Sequence, residues 1–245
     1  MPAWKTSFFV ATALLAAGWA SARQVFLGED SDLFRPADSC PMDVISCTVP
    51  AADTCCSPKY GLVILAQQWT RSTGPSDSFT VHGLWPDTCS IVESQDAPLL
   101  DWMSTYWPSY KDDNNLFWAH EWNKHGTCVT TLDPKCQGDD YVPFSEVPAY
   151  FGQVQKVFQK YNLYKALKQQ GVVPGGQYAL VTFVAAIKNK LNVEPRLYCR
   201  GRVLQEVRLT FHVKGQSTYL PAEPYHNHNC PKIIHYPSKR NNEAI

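Results

Sequence analysis

Five ionisable side chains in two short, aromatic-rich stretches of the sequence are the strongest candidates for acid–base chemistry. One histidine lies in residues 79–89, and four ionisable residues lie close together in residues 117–128. The candidates are His82, His120, Glu121, Lys124 and His125. Imidazole titrates near about pH 6.5, so two histidines from separate segments can act together, one as a neutral base and the other as a charged acid.

The spacing within residues 117–128 predicts a charged flank on a helix. Glu121 and His125 are four residues apart, as are His120 and Lys124, so each pair lies one helical turn apart. We expect Glu121 to orient or bias His125. We also expect the cations His120 and Lys124 to lower the pKa of His125, with Glu121 opposing them.

A zinc-dependent hydrolase is the alternative chemistry for this stretch, because His-Glu opens the zinc-protease signature. That signature needs histidines four residues apart, so that both reach one metal ion. His120 and His125 are five residues apart, which places them about 140° apart around a helix axis and disfavours a shared metal. The other histidines fit strand surfaces or a surface loop better than a metal site: His212, His226, His228 and His235.

A pair of histidines suits phosphodiester transfer in RNA. The 2′-hydroxyl is an internal nucleophile that needs only a base, the departing 5′-oxygen needs an acid, and the crowded phosphorane needs nearby cations. The tryptophan and phenylalanine side chains of both stretches offer faces on which unpaired bases can stack.

The composition indicates an ordered globular protein. Hydrophobic residues make up 44% of the chain and charged residues 18%, which excludes a disordered chain. Lys+Arg and Asp+Glu both number 22, so no global field attracts a polyanion, and a nucleic acid must be held by a local site.

The N-terminus has the features of a secretory signal peptide. Lys5 is the only charge before Arg23, residues 8–17 form an apolar run, and the Ala-Ser-Ala of residues 20–22 offers a cleavage pattern. A membrane anchor is the alternative, but the uncharged stretch is at the short end of the roughly 17 to 25 residues that span a bilayer. We therefore expect residues 1–22 to be removed. The nine cysteines agree with an oxidising destination, outside the cell or in a vacuolar or lysosome-like compartment.

Hydrophobic periodicity predicts the elements that position the two stretches. Residues 79–85 are typical of a strand that stops at Pro86, and residues 116–125 of a helix that stops at Gly126. Further strands are predicted at 60–69, 202–213 and 232–236, and further helices at 99–107, 148–160 and 179–191.

These elements alternate without β-α-β regularity. We therefore predict an α+β fold, with an antiparallel sheet packed against several helices in a single domain stapled by disulfides. The domain is predicted to span residues 40–237, after a loose lead-in at 23–39 and before a polar tail at 238–245.

Two motifs carry a resemblance to a known family. His-Gly-Leu-Trp-Pro occupies residues 82–86, and Glu-Trp-x-Lys-His-Gly-Thr-Cys occupies residues 121–128. With both motifs in this order, the chain resembles the ribonuclease T2 (Rh/T2/S) family, and its fungal branch most closely, from about Cys40 to Tyr236. The resemblance implies an α+β fold and a metal-independent endoribonuclease without cofactor, which forms a 2′,3′-cyclic phosphate and then 3′-phosphate ends.

The resemblance also implies residue roles. His125 matches the general base and His82 the general acid, whereas Lys124 and Glu121 match the residues that stabilise the pentacovalent phosphate. His120 matches a phosphate-binding histidine. Trp85 and Asp87 align with a first base-binding site, although core packing is an alternative role for Trp85, as it is for Phe117. A second base site aligns with Gln68, Pro108, Ser109 and Phe117.

The cysteines depart from the family pattern. Fungal relatives usually carry ten, whereas this chain has nine, so at least one cysteine cannot pair within the chain. The resemblance implies the pairs Cys40–Cys56, Cys47–Cys89, Cys55–Cys136 and Cys199–Cys230. Residues 90–101 contain no cysteine for Cys128 to bond, so we expect Cys128 to be kept as a thiol. The same loop lacks an aromatic residue of the first base site, which bears on base preference and not on catalysis.

Three classes of function compete. A secreted, monomeric endoribonuclease that acts on single-stranded RNA explains both intact motifs. A catalytically silent relative that serves as a binding or signalling protein would be free to lose His82 or His125, which this chain keeps. A zinc hydrolase is disfavoured by the helical spacing of His120 and His125.

Overall fold

One sheet organises the fold of this chain. The computed structural model describes residues 40–41, 43–49, 53–86, 97–111 and 113–239, and all of these belong to one compact unit. The predicted signal peptide, the lead-in, Asp87, Cys89, most of the 90–101 loop and the end of the tail lie outside the described residues.

The described residues form seven strands and five α-helices. The strands are β1 (Leu62–Gln68), β2 (Thr80–Pro86), β3 (Gln177–Ala179), β4 (Pro195–Arg200), β5 (Val203–Lys214), β6 (Thr218–Pro221) and β7 (Ile233–His235). The helices are α1 (Ala97–Tyr106), α2 (Asn114–Lys124), α3 (Glu146–Lys160), α4 (Leu163–Gln169) and α5 (Leu180–Leu191). Four short 3₁₀ turns lie between α2 and α3.

The strand order is β2-β1-β5-β7-β3, and β4 and β6 also pair with β5. Every pairing is antiparallel except that of β7 with β5, which is a single parallel pair, Val203 with His235. The predicted α+β class is therefore confirmed. The sheet is antiparallel apart from this one contact, which alternation of side chains along single strands could not reveal.

One face of the sheet packs against helices, and the other carries the candidate site. Along β5, Val207, Leu209 and Phe211 are fully buried and face the helices, where the Tyr161 ring lies 4.6 Å from that of Phe211. Side chains alternate along a strand, so every second one points to the opposite face, which carries the half-buried Trp85 and Arg208. The candidate site is built on this second face.

The sequence pattern located eight of these elements, including the three-residue β7, and missed four others. Helix α4 and strands β3, β4 and β6 were not predicted, because each has only three to seven residues and too few repeats to show a period.

The predicted role of Gly126 needs correction. Helix α2 ends at Lys124, and Gly126 begins a 3₁₀ turn and does not stop the helix in a left-handed conformation. A Cβ at position 126 would lie 2.0 Å from the Trp122 ring, so glycine is required for close packing.

Three disulfides staple the described residues: Cys40–Cys56, Cys55–Cys136 and Cys199–Cys230. They are three of the four pairs that the family resemblance implied. The proposed partner of exposed Cys47 is Cys89, which lies outside the described residues. Cys128 is buried, and its Sγ lies 3.7 Å from the Lys124 carbonyl oxygen, to which a thiol can donate.

The chain after β7 is anchored to the domain. Lys239, within the residues predicted as a polar tail, is 7% exposed. Its Nζ donates to the carbonyl oxygens of Thr73 and Ser78, each at 2.8 Å, and lies 4.7 Å from the centre of the Trp69 ring. In the described part of the chain, no helix has the length and apolarity needed to cross a bilayer.

Candidate active site

A β-bulge places His82 on the site face of the sheet. On β1, Ala66 pairs with Gly83 and the next residue, Gln67, pairs with Val81, so His82 is the extra residue of β2. In a regular strand, residues 82 and 85 would point to opposite faces because their separation is odd. The bulge reverses this parity and lets His82 and Trp85 share one face.

Contacts to both the backbone and the side chain hold His82 in place. The Trp107 indole, which is fully buried, donates from Nε1 to the His82 carbonyl oxygen at 3.0 Å. On the side chain, Nδ1 lies 2.5 Å from Oε2 of Glu206, which comes from β5 on the far side of β1. This leaves Nε2 as the ring nitrogen of His82 that a substrate can reach.

Trp85 joins the two motifs. Its ring centre lies 4.8 Å from that of His82 and 5.4 Å from that of His125. Its Nε1 donates to Oε2 of Glu121 at 3.0 Å. A Cβ at Gly83 would lie 2.0 Å from Trp85 Nε1 and 2.3 Å from Glu121 Oε2, so only glycine permits this hydrogen bond. We refer to His82, Trp85, Glu121 and His125 as the cluster.

Helix α2 delivers the second half of the cluster. The Asp113 carboxylate caps its N-terminus by accepting from the Leu116 N–H at 2.9 Å. Trp118 and Trp122 are buried and fix which face of the helix meets the domain. This orientation also buries Glu121 and leaves Lys124 exposed at the last turn.

The expected contact between the side chains of Glu121 and His125 is absent among the described hydrogen bonds. His125 is the C-cap residue, with φ −128° and ψ −44°, so the helical geometry that makes residues four apart neighbours has ended there. The Glu121 carboxyl bonds Trp85 instead, and only its backbone carbonyl accepts from the His125 N–H. The expectation that Glu121 orients His125 directly was therefore wrong.

Burial shifts the protonation of both groups. It lowers the pKa of His125 to about 3, with further lowering by the charges of Lys124, His120 and His82. It also raises the pKa of Glu121 to about 7, although the Trp85 hydrogen bond and the charges of His82 and Lys124 oppose this rise. Lys124 and His120 thus act on His125 in the predicted direction, but burial contributes most.

Because its pKa is about 3, the His125 ring is unprotonated, and therefore available as a base, over most of the pH range. Its Nδ1 is buried and has no hydrogen-bond partner among the described residues, so Nε2 is the nitrogen that faces outward. Two nearby groups, Lys124 and His120, are exposed and can place positive charge beside a phosphate.

Two residues of the site were not recognised in the sequence. Glu206 and Arg208 lie two residues apart on β5 and therefore on the same face. Arg208 Nε donates to Glu206 Oε1 at 2.6 Å, and its guanidinium lies 4.8 Å from the centre of the Trp85 ring. The available signal was a pair of opposite charges, two residues apart, in a strand whose other face is mostly apolar.

The proposed base-binding residues lie around the cluster to different degrees. The Phe117 ring is 6.5 Å from that of His82 and is partly exposed. Gln68 lies opposite Glu206 in the sheet, and the Ser109 N–H donates to the Asn114 side chain at 2.8 Å. Pro108 directly follows Trp107, whose indole donates to the His82 carbonyl oxygen. Their contact with bases stays a prediction, as does that of half-buried Trp85.

The described residues contain no group of three His, Cys, Asp or Glu side chains arranged to hold a metal ion. His228 Nδ1 accepts a hydrogen bond from the Leu197 N–H at 3.1 Å, so it is engaged in local structure.

Comparisons with known proteins all match this chain to ribonucleases of one family. The Ribonuclease T2 family profile matches residues 52–230. Ribonuclease Rh of Rhizopus niveus is 38% identical over 224 residues, which cover 83% of this chain and 94% of that protein. Ribonuclease Trv of Hypocrea rufa is 38% identical over 232 residues, or 82% and 99% of the two chains.

A solved structure agrees. The crystal structure of Actibind, a T2 ribonuclease, superposes with a TM-score of 0.75 at 34% identity and covers 82% of this chain and 98% of that one. The fold and the matched sequences together define an endoribonuclease. The chain belongs to the ribonuclease T2 family, in its fungal type.

Proposed function

We propose that this endoribonuclease cleaves single-stranded RNA without a metal ion, with His125 as general base and His82 as general acid. The observation that carries the proposal is that two histidines from distant segments flank one ring, that of Trp85, at 4.8 and 5.4 Å. Each histidine has its Nδ1 buried or bonded, so both direct Nε2 outward.

The first step forms a cyclic phosphate. His125, neutral because burial lowers its pKa to about 3, removes the proton of the 2′-hydroxyl. The 2′-oxygen then bonds to phosphorus, the bond from phosphorus to the 5′-oxygen breaks, and His82 donates a proton to that oxygen. In the second step, the roles reverse: His82 takes a proton from water, which opens the cyclic ester to a 3′-phosphate while His125 protonates the 2′-oxygen.

Charge near the phosphorane supports the same assignment. Exposed Lys124 and His120 offer cations beside His125, and Lys124 is best suited to follow negative charge as it grows in the transition state. Glu121 is protonated up to about pH 7 and can therefore donate a hydrogen bond to a phosphate oxygen in acid. This combination favours cleavage under mildly acidic conditions.

We also propose that the protein acts as a secreted monomer, or in a vacuolar or lysosome-like compartment. Three disulfides in the described residues and the Ala-Ser-Ala pattern at residues 20–22 support an oxidising destination.

The test is digestion of homopolymeric RNAs with EDTA present, followed by analysis of the product ends. We expect cleavage that EDTA does not affect, with 2′,3′-cyclic phosphates that convert to 3′-phosphates. His82→Ala and His125→Ala should each reduce the rate at least ~10²-fold. Cleavage of DNA at a comparable rate, or full activity of His125→Ala, would contradict the mechanism.

A further inference from the structure

Each oxygen of the Glu206 carboxylate has one partner in the structure. Oε2 lies 2.5 Å from Nδ1 of His82, and Oε1 accepts from Nε of Arg208 at 2.6 Å. The Glu206 side chain is only 9% exposed, so water competes little for either oxygen. We propose that Glu206 is the positioning residue of His82, with Arg208 holding the carboxylate in place.

The proposal rests on the role of His82 given above, and it follows from the chemistry of imidazole. A carboxylate at Nδ1 keeps a proton on that nitrogen in both ionisation states of the ring. The imidazolium is then stabilised for donation, and the neutral ring keeps its lone pair on Nε2 for the second step. A single carboxylate therefore serves both directions of proton transfer.

The sheet explains why Glu206 can reach His82. The two residues lie on β5 and β2, with β1 between them, and the β1 residue opposite Gly83 is Ala66. Alanine has only a methyl group and glycine has no side chain, so the His82 imidazole and the Glu206 carboxylate can meet above these two residues. The bulge at His82 then turns the imidazole toward β5.

Arg208 is itself held rigidly. Its Nη1 donates to the Tyr198 hydroxyl at 3.1 Å, and its guanidinium lies 4.1 Å from the centre of that ring and 4.8 Å from that of Trp85. Arg196 lies on the same tyrosine ring at 4.4 Å. These contacts restrict the guanidinium, which in turn fixes the direction of the Glu206 carboxylate.

The charges around this carboxylate favour its ionised form. Burial alone would raise the pKa of Glu206, but the hydrogen bond and charge of His82 and the charge of Arg208 outweigh burial and lower it. Among the described residues, two titratable groups of the α2 segment also interact with this pair: Glu121 with His82 and Glu206, and His125 with His82.

The first experiment replaces Glu206 with glutamine, which keeps the size and removes the charge. On a mixed-sequence single-stranded RNA, we expect Glu206→Gln to lower kcat by about 10²-fold with little change in KM. The basic limb of the pH profile should move to lower pH, because the imidazolium of His82 loses its counter-charge. Glu206→Asp keeps the charge and should recover part of kcat and the original pH profile.

The matched control is Glu194→Gln, which removes a glutamate paired with Lys188 at 2.7 Å on the surface. We expect this variant to keep the kcat, KM and pH profile of the parent protein. If Glu206 has only a structural role, Glu206→Gln will lose stability and keep the parent pH profile, and that result overturns the proposal.

The second experiment reads the tautomer in the parent protein and uses a variant only to assign the signal. Nitrogen-15 NMR of the histidine-labelled protein should show the neutral ring of His82, assigned by its loss in His82→Ala, with the proton on Nδ1. A proton on Nε2 would overturn the role of Glu206 whatever the kinetics show. An active His82→Ala would instead remove the proposed mechanism, so the two failures are distinguishable.

Discussion

Glu121 is 2% exposed, and the raised pKa of about 7 means that its carboxyl is neutral in the folded protein where the unfolded chain is already ionised. As pH rises from 4.5 towards 7, the unfolded state releases this proton first, so the folded state becomes relatively less stable. The destabilisation is complete above the folded pKa and absent below the unfolded one.

Glu121→Gln imitates the neutral carboxyl at every pH. We expect its free energy of unfolding, relative to the parent protein, to be higher at pH 8 than at pH 4.5 by about 1–3 kcal/mol. Urea unfolding at both pH values measures the difference, with exposed Glu223→Gln as control. The same pH dependence in parent and variant would refute the raised pKa.

Lys124 acts on the pKa of its neighbour His125, in addition to its proposed role at the phosphate. Its charge is the largest contribution after burial to the lowered pKa of His125. We expect Lys124→Met to move the acidic limb of kcat/KM to higher pH, since the pKa of His125 rises when the charge is lost. It should also lower kcat more than it raises KM.

The control for this charge is Lys156→Met, which removes an exposed lysine from α3. It should leave both the pH profile and kcat unchanged. A Lys124→Met defect found wholly in KM would assign that lysine to substrate binding instead of the transition state.

At the scale of elements, the packing of β2 against α2 decides whether the cluster forms. Gly83 serves this packing because it admits the bond between Trp85 and Glu121, whereas Gly126 admits the ring of Trp122 within the α2 segment. Neither has a left-handed backbone conformation, so their purpose is space.

Gly83→Ala should therefore separate Trp85 from Glu121. We expect a loss of about 1–3 kcal/mol of stability, as for other overpacked sites, and at least a ~10-fold lower kcat/KM because His82 and His125 both contact Trp85. Gly152→Ala is the matched control. Gly152 lies in the middle of α3, and a Cβ added there would have no atom within 4 Å. It should raise stability by up to about 1 kcal/mol. Equal stability and activity in the two variants would contradict this account.

At the scale of the whole molecule, the C-terminal segment is tied to the loop between β1 and β2. Lys239 bridges two carbonyl oxygens of that loop, and the Trp69 indole donates to the Pro237 carbonyl at 2.7 Å. These contacts connect the segment that follows β7 to the loop that leads into β2, the strand that carries His82.

Lys239→Met should leave the carbonyls of Thr73 and Ser78 without their shared donor. We expect a loss of about 1–3 kcal/mol of stability and no change in kcat/KM at 25 °C, because the lysine contacts no member of the cluster in the described hydrogen bonds. Thermal and urea unfolding measure the loss, with exposed Lys232→Met as control. A change in kcat at constant stability would show that this segment acts on the site.

The sequence alone determined which chemically active residue types lie close together along the chain and what chemistry they suit. Residues 82–86 and 121–128 contain the histidines, the lysine and the glycines in an order that predicts their chemistry. Alternation in residues 203–213 and the helical repeat in 148–160 located β5 and α3. In both elements the buried positions recur with the period of the element and are occupied by apolar residues.

Only the tertiary structure decided how these residues face one another. Spacing defines direction solely within a regular element, and His82 lies at a bulge while His125 lies beyond the end of a helix. Glu206 meets His82 across an intervening strand, a contact between residues 124 positions apart that no local pattern encodes. Burial, which is a property of the whole packed domain, then sets the protonation of Glu121 and His125.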